Sequence, residues 1–334
     1  MATLSERAAH LPAAAAIPPI ELLQLSHNYG SRQALENLSL VVRPREIFGL
    51  LGPNGSGKTT VFRILSTLIV PTGGSALING FDAARDPNRV RSQTGIVFQA
   101  SNLDIKLTVT ENLRHQGHLY GMSGAGLAAR IHEVLDRLGL SDRAGDYVET
   151  LSGGMRRRVE LAKGLIQSPS VLLLDEPSTG LDPGARRDLW QYLAMLRDRE
   201  DVSILVTTHM MEEAERCDRL AILNEGKLVA IGSPWELKSA IGGDVVLFET
   251  DSEETAASLA ARMAVRFSVE PAVLGKTVRL EREEGHRFVA GAVEAFPGEI
   301  DAVSVSKPSL EDVFIQRTGH RFWSEAKENE LWQR

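Results

Sequence analysis

One glycine-rich stretch constrains this chain more than any other feature, because it fits the phosphate-loop pattern Gly-x-x-x-x-Gly-Lys-Ser/Thr at every position. The matching residues are Gly52-Pro53-Asn54-Gly55-Ser56-Gly57-Lys58-Thr59. The mostly apolar residues 46–51 before it are typical of a buried strand, and apolar residues at helical spacing follow it, beginning with Val61 and Ile64. A strand, a glycine-rich turn and a helix in this order predict an α/β domain.

The phosphate loop also predicts a nucleotide site. Glycines let consecutive backbone N–H groups point at one centre, where the positive end of the following helix also lies. Lys58 can reach the β- and γ-phosphates, and the hydroxyl of Thr59 is placed to ligate Mg²⁺. We assign the next residue, Thr60, to the same site. The alternative, a glycine-rich turn that binds nothing, is disfavoured by the strand and helix on either side.

Two carboxylates end a second apolar run. Asp175 and Glu176 directly follow the Val-Leu-Leu-Leu sequence of residues 171–174. A continuous apolar run suits a strand buried in a mostly parallel sheet, and such sheets bind ligands beyond the carboxyl ends of their strands. We therefore expect Asp175 to hold Mg²⁺, directly or through water, and Glu176 to polarise an attacking water as a general base.

Three further side chains could face the same site, and each has a plainer alternative. Gln99 ends the predicted strand 94–99 and can reach a metal or a water, or can simply open a loop. His209 ends the apolar strand 202–209 and can hydrogen-bond a terminal phosphate, or can lie at the edge of the core. Tyr29, on a predicted turn, can stack on a nucleotide base or can be a half-buried surface residue.

A second candidate anion site lies at the start of a helix. Ser152 is a typical helix N-cap, and Gly153 and Gly154 leave the N–H groups of the first turn bare. The alternative is a capped helix with an arginine-rich exposed face, formed by residues 156–158. Each glycine costs about 1 kcal/mol of helix stability relative to alanine, which favours a functional reason for the pair.

Composition excludes several classes of protein. The 334 residues suffice for two domains. The 37 Lys and Arg against 44 Asp and Glu, a net charge of −7, argue against nucleic acid as a partner, which requires a basic face. The single cysteine, Cys217, excludes an intrachain disulfide, and we interpret it as a packing residue. No apolar run approaches the length of about 20 residues that spans a bilayer.

The first two thirds of the chain predict a P-loop NTPase fold, with a RecA-like, mostly parallel sheet. Residues 1–19, rich in alanine and proline, are expected to be a disordered leader. Residues 20–236 form the nucleotide-binding domain. It includes an antiparallel β element at residues 20–49 and a helical insert at about residues 100–167.

The remaining residues predict a second, smaller domain. Residues 240–320 follow the order βαββαβ, which indicates an α+β ferredoxin-like domain. Its first helix is predicted at residues 253–264 and its second strand at residues 267–273. Residues 321–334 are expected to be a solvated tail.

Taken together, residues 20 to about 235 resemble the ATP-binding subunit of ABC transporters. The most specific match is Leu151-Ser152-Gly153-Gly154, which resembles the signature loop of the family, and residues 52–59 match its Walker A loop. The resemblance implies that Tyr29 stacks on adenine and that Gln99 contacts Mg²⁺ and senses the membrane partner. It implies that Asp175 is the Walker B acid and Glu176 the catalytic glutamate. It also implies that Asp182 belongs to the D-loop of residues 178–182 and that His209 is the switch histidine.

Other details resemble one subfamily, the ATPases of ABC-2 type exporters of the daunorubicin-resistance and nodulation lipo-oligosaccharide types. Met155 stands where the signature usually ends in glutamine, which removes one side-chain donor near the phosphate. The arginines after it and residues 207–215 are similar to this subfamily. Residues 308–314 are similar to the C-terminal accessory domain that many of its members have.

The resemblance implies an ATP-hydrolysing subunit of a membrane exporter of drugs, lipids or glycoconjugates, with ATP and Mg²⁺ as cofactors. It implies a homodimer around two ATP molecules, in which Ser152, Gly153 and Gly154 act in trans and Lys58 stabilises charge during hydrolysis. It also implies separate transmembrane permease subunits of ABC-2 type as partners, no nucleic acid, and a location at the cytoplasmic face of a bacterial cell membrane.

Two alternatives remain. A soluble ABC ATPase that acts on ribosomes or DNA is disfavoured by the single cassette and the negative net charge. A regulator that binds ATP without turnover is disfavoured by the intact Asp175-Glu176 pair and by His209.

Overall fold

A computed structural model of the chain describes residues 17–322. Its strands are β1 (Ile20–Tyr29), β2 (Arg32–Val42), β3 (Ile47–Leu51), β4 (Gly73–Ile78), β5 (Phe81–Asp82), β6 (Thr94–Val97), β7 (Val171–Asp175), β8 (Ser203–Thr208), β9 (Arg219–Asn224), β10 (Lys227–Gly232), β11 (Asp244–Glu249), β12 (Ala272–Leu274), β13 (Thr277–Arg282) and β14 (Ala302–Ser306). Its helices are α1 (Lys58–Leu65), α2 (Pro87–Gln93), α3 (Val109–Leu119), α4 (Gly124–Arg137), α5 (Gly153–Leu165), α6 (Pro183–Glu200), α7 (Met211–Ala214), α8 (Pro234–Ser239), α9 (Glu253–Phe267), α10 (Gly285–Ala295) and α11 (Leu310–Thr318). Most of the expected leader, residues 1–16, and residues 323–334 of the expected tail lie outside the described residues.

The central sheet has six strands in the order β10-β9-β3-β8-β7-β6. All neighbouring pairs are parallel except β9 and β10, which form the hairpin at one edge. Every residue of β3 and of β7 is buried, as their continuous apolar runs predict. The carboxyl ends of β3, β6, β7 and β8 therefore lie on the same side of the sheet. This confirms the predicted mostly parallel α/β fold.

A second sheet is antiparallel and has the order β2-β1-β4-β5. It confirms the antiparallel element expected at residues 20–49. Leu22 of this sheet shares one hydrophobic cluster with Phe48 of β3 and with Val61 of α1. The helix after the phosphate loop is thereby fixed against both sheets.

Helices α3, α4 and α5 lie between β6 and β7 in the chain and form the predicted helical insert. Thr108 caps the start of α3 in a capping box with Glu111. A Cβ atom on Gly117 of α3 would lie 2.3 Å from a methyl carbon of Leu127, so glycine permits the close approach of α3 to α4. Ile131 of α4 and Val159 of α5 belong to the same hydrophobic cluster.

The C-terminal sheet is antiparallel throughout and has the order β12-β13-β11-β14. With α9 after β11 and α10 after β13, this is the ferredoxin-like arrangement that the sequence predicts. One boundary was predicted wrongly, because α9 continues to Phe267 and β12 begins only at Ala272. Phe267 is partly buried at the end of the helix and packs edge-on against Phe288, with ring centroids 4.9 Å apart.

The C-terminal unit packs on the central sheet through a shared hydrophobic cluster. Leu220 and Ile222 of β9 contribute from one side, and Val313 and Phe314 of α11 from the other. Phe322 belongs to the segment that was expected to be a solvated tail, yet it is packed in the protein. It is 3% exposed, and its ring centroid lies 4.9 Å from that of Phe314.

The described residues also include the single cysteine and the helices that can be compared with a membrane span. Cys217 is buried, and burial raises the pKa of its thiol, as expected of a packing residue. Among residues 17–322, no helix is both long and apolar enough to cross a membrane.

We predict that Phe314→Ala weakens the attachment of the C-terminal unit. Phe314 is fully buried, and removing a buried phenyl ring costs about 3–5 kcal/mol of unfolding free energy. Urea denaturation followed by circular dichroism measures this loss. Val293→Ala on α10, where the residue is 43% exposed, is the control and should change stability by less than about 0.5 kcal/mol. Equal small losses for both variants would contradict the packing described here.

Candidate active site

The phosphate loop joins β3 to α1, and its path requires glycine at two positions. A Cβ atom on Gly52 would lie 2.4 Å from Ser56 Oγ and 2.5 Å from the carbonyl oxygen of Leu223. Gly57 has a φ of +104°, and a Cβ atom there would lie 2.7 Å from Leu35 Cδ2. The loop is therefore held tightly between β2 and the β9–β10 hairpin.

Lys58, the first residue of α1, turns back onto its own loop. Its Nζ donates to the carbonyl oxygens of Gly52 at 2.6 Å and Pro53 at 3.1 Å. Burial lowers the pKa of Lys58, and the nearby carboxylates of Glu176 and Asp175 partly oppose this effect. The present acceptors of Lys58 are neutral, so an anion that replaces them would make the stronger, charge-assisted hydrogen bonds.

A cavity of about 220 Å³ opens beside the loop. It contains seven of the residues predicted for the nucleotide site together with Glu176: Tyr29, Asn54, Gly55, Gly57, Lys58, Thr59 and Thr60. Tyr29 is the last residue of β1 and not part of the turn, and its ring packs edge-on against His27. Arg32 and Arg63 also line the cavity and were missed. Both have the charge that suits an anion, but only the folded sheets bring Arg32 of β2 to the loop.

Asp175 ends β7 and is 6% exposed. Its Oδ1 accepts a hydrogen bond from the hydroxyl of Thr207 on the neighbouring strand β8. Burial raises the pKa of Asp175, whereas the hydrogen bond from Thr207 and the charge of Lys58 lower it. The net effect is a raised pKa, which reflects the burial of this carboxylate.

Glu176 has an unusual backbone with a φ of +43°, in the left-handed region. Its N–H donates to the carbonyl oxygen of Thr207 at 3.2 Å and to the hydroxyl of Thr207 at 3.0 Å, which fixes the turn after β7. This conformation costs about 1–3 kcal/mol, and such strain is concentrated at functional sites.

The side chain of Glu176 joins two other predicted residues. Gln99 Nε2 donates to one carboxylate oxygen at 3.0 Å, and His209 Nδ1 lies 3.0 Å from the other. Burial raises the pKa of Glu176, but the hydrogen bond and charge of His209, with the charge of Lys58, outweigh it and leave the pKa lowered. β6 ends at Val97, so Gln99 lies in the connection after the strand and not at its end.

The candidate anion site at Ser152 lies away from this cavity in the same chain. Ser152 caps α5, and its hydroxyl accepts from the N–H of Met155 at 3.3 Å. A Cβ atom on Gly154 would lie 2.9 Å from Ala185 Cβ, so packing against α6 requires glycine there. A Cβ atom on Gly153 would meet nothing within 4 Å, so no contact within the described chain explains that glycine.

Asp182 does not line the cavity either. Its Oδ1 accepts from the N–H of Ala185 at 2.9 Å and so caps α6. Because Ala185 also lies against Gly154, the starts of α5 and α6 adjoin each other on one surface.

Comparison with known proteins identifies a family for the chain. Residues 35–179 match the family described as ABC transporter. The daunorubicin/doxorubicin resistance ATP-binding protein DrrA of Streptomyces peucetius is 35% identical over 322 residues, which are 93% of this chain and 97% of the relative. The Nod factor export ATP-binding protein I of Cupriavidus metallidurans is 40% identical over 294 residues, covering 87% and 94%.

A solved structure described as the ATP binding subunit of an ABC transporter superposes with a TM-score of 0.60 at 31% identity. The superposition covers 66% of this chain and 92% of the chain in the solved structure. Fold and near full-length similarity thus agree, and the chain belongs to the ABC transporter family, as an ATP-binding and ATP-hydrolysing protein of the branch that includes its drug-resistance and Nod factor export relatives.

Proposed function

We propose that the chain binds ATP with Mg²⁺ in the cavity at Lys58 and hydrolyses it to drive an ABC-2 type exporter. The observation that supports this most directly is the convergence of Glu176, Gln99 and His209 beside the phosphate loop. These residues come from three different connections after parallel strands. A purely structural role does not explain why a glutamate in a strained backbone holds both partners.

The residues present suit both ATP and its metal. The loop from Gly52 to Thr60 supplies backbone N–H groups for the phosphates, Lys58 a positive charge, and Tyr29 an exposed ring for the base. Thr59, Gln99 and Asp175 supply the oxygen ligands that Mg²⁺ prefers, and Asp175 is a carboxylate at the end of the buried strand β7. When bound, Mg²⁺ neutralises charge on the transferring phosphoryl group.

Hydrolysis requires a base that is ionised at neutral pH, and the lowered pKa of Glu176 meets that requirement. Glu176 accepts a proton from water as the water oxygen attacks the γ-phosphorus, and the bond to the β–γ bridging oxygen breaks. Gln99 and His209 orient the carboxylate, and Lys58 stabilises the charge of the leaving phosphates.

The site within one chain lacks the second anion-binding helix start, which is the start of α5. In a homodimer, the second copy of the chain supplies it. Ser152, Gly153 and Gly154 lie outside the cavity, on a surface they share with the start of α6 near Asp182. Gly153 costs helix stability with no compensating contact inside the chain. A phosphate of ATP on a second copy is a group that would approach Gly153 closely enough to require a bare backbone.

The proposed partners are separate transmembrane permease subunits of ABC-2 type, at the cytoplasmic face of a bacterial cell membrane. The names of the relatives support drugs and glycoconjugates as cargo classes, since they specify daunorubicin resistance and Nod factor export. We propose lipids as a third class of cargo. In this organisation, residues 20–236 are the ATP-binding domain and residues 240–322 an accessory domain that packs on β9.

Glu176→Gln tests the assigned base. We expect ATP hydrolysis to fall by about 10²–10⁴-fold, because the amide cannot accept the proton of the attacking water. ATP binding should persist, and size-exclusion chromatography with ATP and Mg²⁺ should show a trapped dimer. Glu212→Gln, on an exposed side chain of α7, is the matched control and should hydrolyse ATP like the wild type. A normal rate for Glu176→Gln would refute the assignment.

Gly57→Ala tests the phosphate loop. The new methyl group meets Leu35 and the carbonyl oxygen of Ala34, and the backbone has a φ of +104°, so ATP affinity should fall more than about tenfold. Gly121→Ala is the control, because its φ is +74° but a Cβ atom there meets nothing within 4 Å. Isothermal titration with ATP measures the affinity of both variants. A similar affinity for both would show that the loop does not form the site.

Sedimentation of a tagged chain from cells of its own bacterium separates the exporter from the ribosome or DNA alternative. We expect the chain in the membrane fraction, from which alkaline carbonate releases it as it releases other peripheral proteins. The charge balance of 37 basic to 44 acidic residues offers little attraction to RNA or DNA. Recovery with ribosomes, or with the nucleoid, would contradict the export function.

A further inference from the structure

The three consecutive arginines of α5 have different environments, although the sequence suggests a single exposed face. Arg158 pairs with Asp188 of α6 at the surface, at 2.6 Å. Arg156 donates to the carbonyl oxygens of Leu151 and Glu149, just before the helix. Arg157 is only 8% exposed and points into the protein. Arginine is rarely buried unless it is paired, so its partners need an explanation.

The guanidinium group of Arg157 holds the backbone of two loops of the candidate active site. Its Nε donates to the carbonyl oxygen of Pro177 at 2.6 Å, and its Nη1 to that of Phe98 at 2.7 Å. Its Nη2 lies 3.5 Å from the carbonyl oxygen of Asp175. These carbonyls precede Gln99 and stand on both sides of Glu176.

Glu160, one turn further along α5, supplies the compensating charge for Arg157. It is 6% exposed and forms an ion pair with Arg157 Nη1. The planar fork of arginine reaches acceptors in several directions at once, whereas the ammonium group of lysine is a single point. One side chain therefore fastens α5 to both loops, and the start of α5 is Ser152-Gly153-Gly154.

We propose that Arg157 is a positioning residue that couples the two ATP sites of the dimer. A shift of the Gln99 and Glu176 loops on nucleotide binding moves α5 through the carbonyl contacts of Arg157. The start of α5 completes the site on the partner, so occupation of one site prepares the other. The inference rests on the proposed composite dimer and adds to it the residue that links its sites.

The test removes the carbonyl contacts without leaving a buried charge. The double variant Arg157→Met/Glu160→Met replaces the buried ion pair by apolar side chains of similar volume, a change that is often neutral for stability. Arg158→Met/Asp188→Met is the matched control, because it deletes an exposed pair on the same helix. Arg157→Lys is a second variant, which keeps the positive charge beside Glu160 but loses the planar guanidinium group and its several donors.

ATP hydrolysis is measured against ATP concentration, and ATP binding is measured separately on dilute protein. For the wild type and the control we expect a Hill coefficient above 1. For Arg157→Met/Glu160→Met and Arg157→Lys we expect a value of about 1, with unchanged ATP affinity of the dilute subunit, because coupling and not the site itself is lost.

Two outcomes overturn the inference and differ from each other. If the wild type and both Arg157 variants are equally cooperative, Arg157 does not couple the sites, although the dimer stands. If the wild type itself shows no cooperativity and its rate is linear in protein concentration, the composite dimer fails and the inference fails with it.

Discussion

The parallel pairing of β3 with β8 and β9 is the constraint on which the site depends. It places the phosphate loop next to the end of β8, where Thr207 binds Asp175 and the backbone of Glu176. Thr207 thus connects the two acidic residues to the strand that precedes His209. Each of these contacts depends on apolar strands that are buried on both faces, which fixes their register and leaves the polar residues only at their ends.

Much of this arrangement follows from sequence. The period of the apolar residues and the glycine pattern predict the sheet, the helical insert and the ferredoxin-like order, because local hydrogen bonding and burial dictate them. Gln99, Glu176 and His209 could be placed at one edge because parallel strands end together. Their mutual hydrogen bonds could not be predicted, since these depend on side-chain directions in three separate connections.

The residues that sequence analysis missed share one property, which is that only tertiary structure gives them a partner. Arg32 reaches the cavity through the fold of the second sheet. Arg157 sits in a run of three arginines that suggests solvent, yet it is buried against backbone carbonyls that are distant in sequence. Phe267 was predicted to begin a strand, but it ends α9 and packs against Phe288.

If each ATP site is built from two chains, two inactive variants should complement each other when they are mixed. Lys58→Ala disables the phosphate loop of one chain. Gly153→Asp places a negative side chain in the signature loop of the other, at the start of α5. In a mixed dimer one site retains both intact halves, so random pairing should restore up to about one quarter of the wild-type ATP hydrolysis, and less if the intact site depends on its neighbour. No recovery in mixtures that form dimers, or full activity of Gly153→Asp alone, would contradict the account.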